Sequence, residues 1–217
     1  MQYSLDMSKL IPQMLDASLT TVELFFFTAV ISIPLGLLVA FGRMSKCKWI
    51  KWSVMVYISI MRGTPLILQV LFLYFLPYYL FGGLFPRLLS AIIAFSLNYA
   101  AYFAEIYRAG IEGIAPGQWE AAKVVGFSRG QTFLRIILPQ MVKRVLPPMA
   151  NEFMTLVKDT ALASTIGVME LFRIAKNAQS TFFSSMPLLV AGIFYYIMNY
   201  VISFFFQLAE KRLSYYK

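Results

Sequence analysis

The chain has 217 residues, of which 59% are hydrophobic and 13% charged. Soluble domains carry about 25% charged residues, so this composition excludes an ordinary soluble globule. With no histidine and a single cysteine, it also excludes an internal disulfide framework, histidine-ligated metal sites and histidine-based triads.

Taken in chain order, a short amphipathic segment at 5–15 comes first and is expected at the membrane interface. No small-residue cleavage site follows the apolar run that opens near Leu19, so no cleavable signal peptide is expected. About twenty apolar residues cross the hydrocarbon core as a helix. By that measure there are five spans, at about 19–42, 53–81, 88–108, 147–167 and 187–208. Pro34, Pro65 and Pro187 are expected to bend or start helices. Cys47, between Lys46 and Lys48, reads as incidental. Trp49, Trp52, Tyr78, Tyr79, Tyr215 and Tyr216 fall near span ends, as an aromatic belt would.

The placement of basic residues explains the formal charge of +9. Arg43, Lys46, Lys48 and Lys51 follow span one. Arg108, Lys123, Arg129, Arg135, Lys143 and Arg144 follow span three, and Lys211, Arg212 and Lys217 follow span five. The opposite loops hold only Lys9, Arg87, Arg173 and Lys176. The positive-inside rule then puts the N-terminus outside and the C-terminus in the cytoplasm. The charge is a topology signal rather than a nucleic-acid patch. The fold class is all-α integral membrane, one transmembrane domain over 1–217.

Between spans three and four lies a polar cytoplasmic loop, 116–140. Pro116-Gly117 is a helix start and Gly126 a stop whose freedom at positive φ lets the chain reverse. Glu120 in the first turn complements the helix dipole. Ala121 and Ala122 offer a small-residue surface to a partner. A second helical run, about 128–138, is expected to end against Pro139.

Glu120-Ala121-Ala122, then Gly126, then Ile136-x-Leu138-Pro139 resembles the EAA loop of permease subunits of ATP-binding-cassette importers. RGTPLILQ (62–69), LNYAAYFAEIYRAGIEGI (97–114), LPPMANEF (146–153) and LVKDT (156–160) resemble the permeases for polar amino acids, the arginine, histidine, glutamine and glutamate group. Ala161 and Leu162 depart from that pattern, where many relatives place serine first. The resemblance implies a coupling helix, carried here by Glu120, Ala121, Ala122 and Gly126, that docks on a cytoplasmic ATPase. It implies two such ATPase subunits, a second permease subunit expected to be another copy of this chain, and an extracytoplasmic solute-binding protein. The chain lacks GxxxxGK[ST], so ATP and Mg are expected on the partner and no cofactor here.

Charged side chains within the bilayer mark functional sites by default. At about 100° per residue, Glu152, Thr155 and Asp159 share one face of span four, and Asn98, Tyr102 and Glu105 one face of span three. Glu152, Thr155 and Asp159 are candidates to line an internal site, faced by Asn98 and Tyr102. Carboxylates there would pair with a guanidinium or ammonium group. The segment 61–65 is a plausible helix break supplying donors for a substrate carboxylate, with Arg62 adding charge and Gln69 lining the path. The other reading of Asp159 and Glu105 is a structural pair with Lys158. No basic residue shares the face of Glu152, which argues against a structural pair there; the resemblance, in which KDT is a shared block and the residue before Phe153 is less uniform, implies Glu152 as the specificity residue and KDT as scaffold. The expectation is an importer subunit for basic amino acids (arginine, histidine or lysine) in a bacterial or archaeal cell membrane. The rivals are an ion- or proton-coupled secondary transporter, for which no inverted repeat is evident, and a membrane enzyme, for which no nucleophile–base pair is present.

Overall fold

A computed structural model describes residues 6–213. Tyr215, Tyr216 and Lys217, and the first residue of the 5–15 segment, lie outside them. The described residues are almost wholly helical. In order they form α1 (Met7–Arg43), α2 (Lys48–Gly63), α3 (Leu66–Phe81), α4 (Arg87–Glu112), α5 (Pro116–Val124), α6 (Arg129–Thr132), α7 (Leu138–Asp159), α8 (Leu171–Phe182) and α9 (Met186–Leu213).

Asp6 caps α1, its carboxylate accepting from the Ser8 amide at 3.1 Å. The helix then runs unbroken for 37 residues, about 55 Å at 1.5 Å per residue. The 5–15 segment is therefore the first turns of α1 rather than a separate interfacial helix. Its apolar side is buried by protein: Leu10 and Met14 pack with Leu171, Ala175 and Ala178 of α8 and Ala191 of α9. Pro34 sits inside α1 without ending it.

The most extensive helix pair is α1 with α4. Small residues permit it, since lipid gives helices no hydrophobic reason to associate and close backbone approach must supply the attraction. Ala91, Ala94, Ala100, Ala101 and Ala104 of α4 are buried. A Cβ on Gly36 would stand 2.8 Å from that of Phe103.

Between α2 and α3 the chain turns by 113°. Thr64 precedes a proline, which disfavours helical backbone, and it is extended at φ −119°, ψ 150°. Pro65 follows at φ −61°, ψ 132° and caps α3. The break expected at 61–65 is present.

Two further helices differ from expectation. Pro139 does not end a helix: residues Phe133–Ile137 form a π-helical turn and α7 continues through Pro139 to Asp159. The wider turn relaxes the hydrogen-bond ladder just where proline withholds its N–H. The fourth expected span is likewise composite, with a 3₁₀ helix at Thr160–Ile166 closed by Gly167 at φ +82°. Among the described residues three helices, α1, α4 and α9, are long and apolar enough to cross a membrane, four if α2–α3 counts as one bent span. The charged residues of α7 keep it out of that set.

Candidate functional site

The break between α2 and α3 is built from uncharged side chains. Gln69, one turn into α3, donates through Nε2 to the Met61 carbonyl (3.0 Å), the Thr64 carbonyl (3.2 Å) and Thr64 Oγ1 (2.8 Å). Asn98 of α4 donates to the same Met61 carbonyl (3.0 Å) and to Gln69 Oε1 (2.8 Å). These bonds satisfy carbonyls that the interrupted helix leaves without partners. Asn98 and Gln69 are both buried. The sequence placed both on the pathway; in the structure their amides bond each other and the backbone of the break, and neither lines the cavity beside it.

Arg62, the penultimate residue of α2, projects from that break into a cavity of about 540 Å³ that it shares with Tyr102, Glu105, Arg108, Arg144 and Glu152. Its guanidinium lies over the Tyr102 ring, 5.1 Å from the centroid. Cation–π contact of this kind is worth about 0.5–2 kcal/mol, depending on desolvation. Three of the sequence candidates, Arg62, Tyr102 and Glu152, are thus brought together. Glu152 acquires a basic neighbour from another helix, which inspection of its own helix face could not reveal.

Glu105 is the hub of the adjoining charge cluster. Arg108 donates to it at 2.7 Å, and Arg43 and Arg62 approach to 3.6 and 4.0 Å. All these partners are arginines from α1, α2 and α4, so pairing of Glu105 with Lys158 is not what holds it. The Glu105-x-x-Arg108-x-x-x-Glu112 spacing, i to i+3 and i+4 on one helix, was the available signal for it.

Further along α7, Thr155 Oγ1 donates to the Asn151 carbonyl (3.0 Å), and Asp159 accepts from the buried Tyr99 hydroxyl (2.8 Å). Neither lines the 540 Å³ cavity. A buried acid absent from the sequence candidates, Glu170, caps α8. Its two oxygens accept from the Phe172 and Arg173 amides, each at 2.7 Å, and from Tyr195 Oη at 2.9 Å. Burial pushes its carboxyl up to about 7. Only its place just before the Leu171–Phe182 helix could have marked it as a cap.

At the other end of α7, α5 and α6 form the expected compact turn. Gly126, at φ +84°, lets the Phe127 amide reach the Ala122 carbonyl (3.0 Å) and the Gly126 amide the Lys123 carbonyl (3.1 Å), a C-terminal closure typical of glycine. Ser128 and Gln131 close the start of α6 as a reciprocal capping box. Trp119, Glu120, Lys123, Phe127, Arg129 and Thr132 line a cleft of about 800 Å³. Ala122 is buried, so the small-residue surface is not the Ala121-Ala122 pair. Ala121 is exposed, and with it Trp119, Val124 and Val125.

A membrane bundle with a broken span, a polar cavity beside the break and a short exposed helix on one connection defines a transport component. Residues 32–215 match the family of binding-protein-dependent transport system inner membrane components. The chain is 35% identical over 215 residues to the arginine transport system permease protein ArtQ of Bacillus subtilis, covering 97% of this chain and 98% of that one. It is 38% identical over 204 residues to the L-cystine transport system permease protein TcyB of the same organism, covering 90% and 84%. Among solved structures, an amino acid ABC transporter crystallised with histidines superposes with a TM-score of 0.87 at 34% identity, covering 96% of this chain and 99% of that one. The MetNI methionine transporter shares the fold, with a TM-score of 0.74 at 19% identity over 94% and 95% of the chains.

The chain therefore belongs to the binding-protein-dependent transport system inner membrane components. Within them it is a multi-pass permease subunit of the polar amino acid group that the sequence resembles, a transport component rather than an enzyme.

Proposed function

We propose that the chain, 1–217, is one transmembrane domain of an importer that carries basic amino acids (arginine, histidine or lysine) among the polar ones, with Glu152 as the residue that selects them. The carrying observation is the cavity in which Glu152 meets Tyr102 and Arg62 beside a helix break. A guanidinium or ammonium group entering there leaves its water and takes Glu152 as a charge-assisted partner, with the Tyr102 face beside it. The α-carboxylate lies toward Arg62. Gln69 and Asn98 hold the break in the shape this requires, and Thr155 and Asp159 extend the same α7 face further along the path. The arginine relative named above supports the substrate class; the cystine relative marks its limit, since the distal ammonium of cystine is accompanied by a carboxylate and brings no net positive charge.

The topology has five spans, with α7 and the 3₁₀ helix as the fourth, the N-terminus outside and the C-terminus in the cytoplasm. Glu120, Ala121 and Gly126 belong to the face by which two ATPase subunits drive the domain. ATP and Mg are held by those subunits, and this chain holds no cofactor. A second copy of this chain completes the pathway, and a solute-binding protein delivers the amino acid. Closure of the ATPases moves the α5–α6 turn, and the π-helical turn ahead of Pro139 transmits that movement into α7, on which Glu152 sits.

The test is Glu152→Gln in the purified complex. Arginine-stimulated ATP hydrolysis should fall at least tenfold with assembly intact, in line with the roughly 1.5–3 kcal/mol of a charged hydrogen bond. Unchanged affinity for arginine in that variant would sink the assignment.

A further inference from the structure

Three arginines approach Glu105 while Glu152, in the same cavity, takes no ion pair within 4.0 Å among the described residues. That distribution is uneven. Arg108 holds Glu105 through Nη2 at 2.7 Å and through Nε at 3.2 Å, and Arg43 stands behind it. Arg62 is the outermost partner at 4.0 Å, and its side chain is 44% exposed. It stands one residue before Gly63, which has open space around it. Its charge acts on both carboxylates, Glu105 and Glu152.

A carboxylate in a half-dry cavity without a countercharge is costly; of the cavity's arginines, Arg108 is held by Glu105 and Glu112 and Arg144 by the Gly113 carbonyl, which leaves Arg62 as the arm with least to hold it. We propose that Arg62 is a tethered competitor of the substrate. With no amino acid present its guanidinium lies over Tyr102 and balances Glu152, and a cationic side chain enters by displacing it toward Glu105. The inference rests on the reading of Glu152 as the substrate's partner and adds how that site is kept neutral when empty. The position over the Tyr102 ring is one that an entering guanidinium can take over group for group. The exchange keeps a cation beside Glu152 throughout. It also weakens net binding, which a site that must release its cargo requires. Once displaced, Arg62 is free to meet the α-carboxylate of the same molecule.

Agmatine separates the two roles, because it carries the guanidinium of arginine and lacks the carboxylate. Calorimetry on the permease–ATPase complex would compare agmatine with arginine. In Arg62→Gln the competitor is gone, so agmatine should bind about fivefold tighter, the measure of a partly exposed ion pair. Arginine should gain nothing, since it also loses its carboxylate partner. Arg62→Lys restores the competing charge and should return agmatine affinity toward wild type. Glu105→Gln removes the place to which Arg62 retreats and should weaken agmatine binding, a change of opposite sign that general damage at Arg62 does not produce. Agmatine binding unchanged or weakened in Arg62→Gln overturns the competitor. If Glu152→Gln leaves both ligands unaffected, it is the underlying site assignment that fails.

Discussion

The helix is interrupted twice near the polar centre of the bundle, and the two interruptions are secured in opposite ways. The break between α2 and α3 is held from within by two buried amides, Gln69 and Asn98, that converge on the Met61 carbonyl. The passage from α7 into the 3₁₀ helix is held by ionisable groups around its ends. Asp159 accepts from Tyr99, Arg87 Nη1 reaches the Gly167 carbonyl at 3.5 Å, Arg173 Nη1 reaches that of Ser164 at 3.3 Å, and Glu170 caps the helix beyond. Amides fix a backbone at any pH and leave the cavity charge to Arg62 and Glu152. The arginines keep their charge, but the bonds of the two carboxylates, Asp159 and Glu170, change strength with protonation. The first break is thus suited to be a constant wall, and the second to be the part that gives.

The largest effect should come from breaking the amide clamp. Asn98→Leu fills the space but leaves Gln69 Oε1 with its hydrogen-bond donor removed in a buried setting. The cost of a buried group left unpaired is about 1–3 kcal/mol, and substrate binding should fall with it because the wall of the cavity shifts. Thermal unfolding of the purified complex measures the first, and arginine-stimulated ATP hydrolysis the second. A stable variant with normal transport would show that the clamp does not shape the site.

Next in size is the pH response, which only the second interruption should show. Burial raises the Glu170 carboxyl from 4.5 to about 7. A raised carboxylate means that the folded state holds its proton more tightly than the unfolded one. Stability is therefore greatest below about pH 4.5 and declines as pH rises toward about 7, by on the order of 1–3 kcal/mol. Glu170→Gln, which keeps an acceptor for the amides and cannot ionise, should flatten that slope. Melting temperatures across pH 5–7.5 for wild type and variant decide it, and parallel curves would remove Glu170 as the cause.

The two interruptions were unequally legible in the sequence. Thr64-Pro65 announces itself, since a pre-proline residue resists helical backbone wherever it occurs. The 3₁₀ stretch has no such marker: TALASTI is compatible with ordinary helix, and its tightening reflects the capping groups at each end, which come from distant α4 and the α8 region. The same division applies to the site. Helix-face arithmetic found Glu152 and Tyr102 because both belong to regular helices. It could not place Arg62 beside them, because the three lie on different helices, α2, α4 and α7, and a wheel relates only residues of one helix. Asn98 and Gln69 looked like pathway residues because polarity inside a bilayer signals function, whereas here it satisfies the carbonyls of a broken helix. Five spans were read where length and hydropathy support three or four, since α7 combines spanning length with too much charge to qualify by composition.

The smallest effect tests whether the second interruption depends on its backbone or on the arginine beside it. Gly167 lies at φ +82°, where a side chain is strained, and an added Cβ would stand 3.2 Å from the guanidinium of Arg87. Arg87 is exposed and its bond to the Gly167 carbonyl is long, so Arg87→Ala alone should cost less than about 0.5 kcal/mol. Gly167→Ala should cost about 1–2 kcal/mol, the ordinary penalty for placing a non-glycine residue in left-handed backbone. The guanidinium is the flexible end of its side chain and can step aside at little expense. The double variant should therefore show nearly the full Gly167→Ala cost, with a coupling energy near zero. A large coupling would show that Arg87 is packed rigidly against the turn. The outer capping charges, and not the backbone of Gly167, would then be what sets the second interruption.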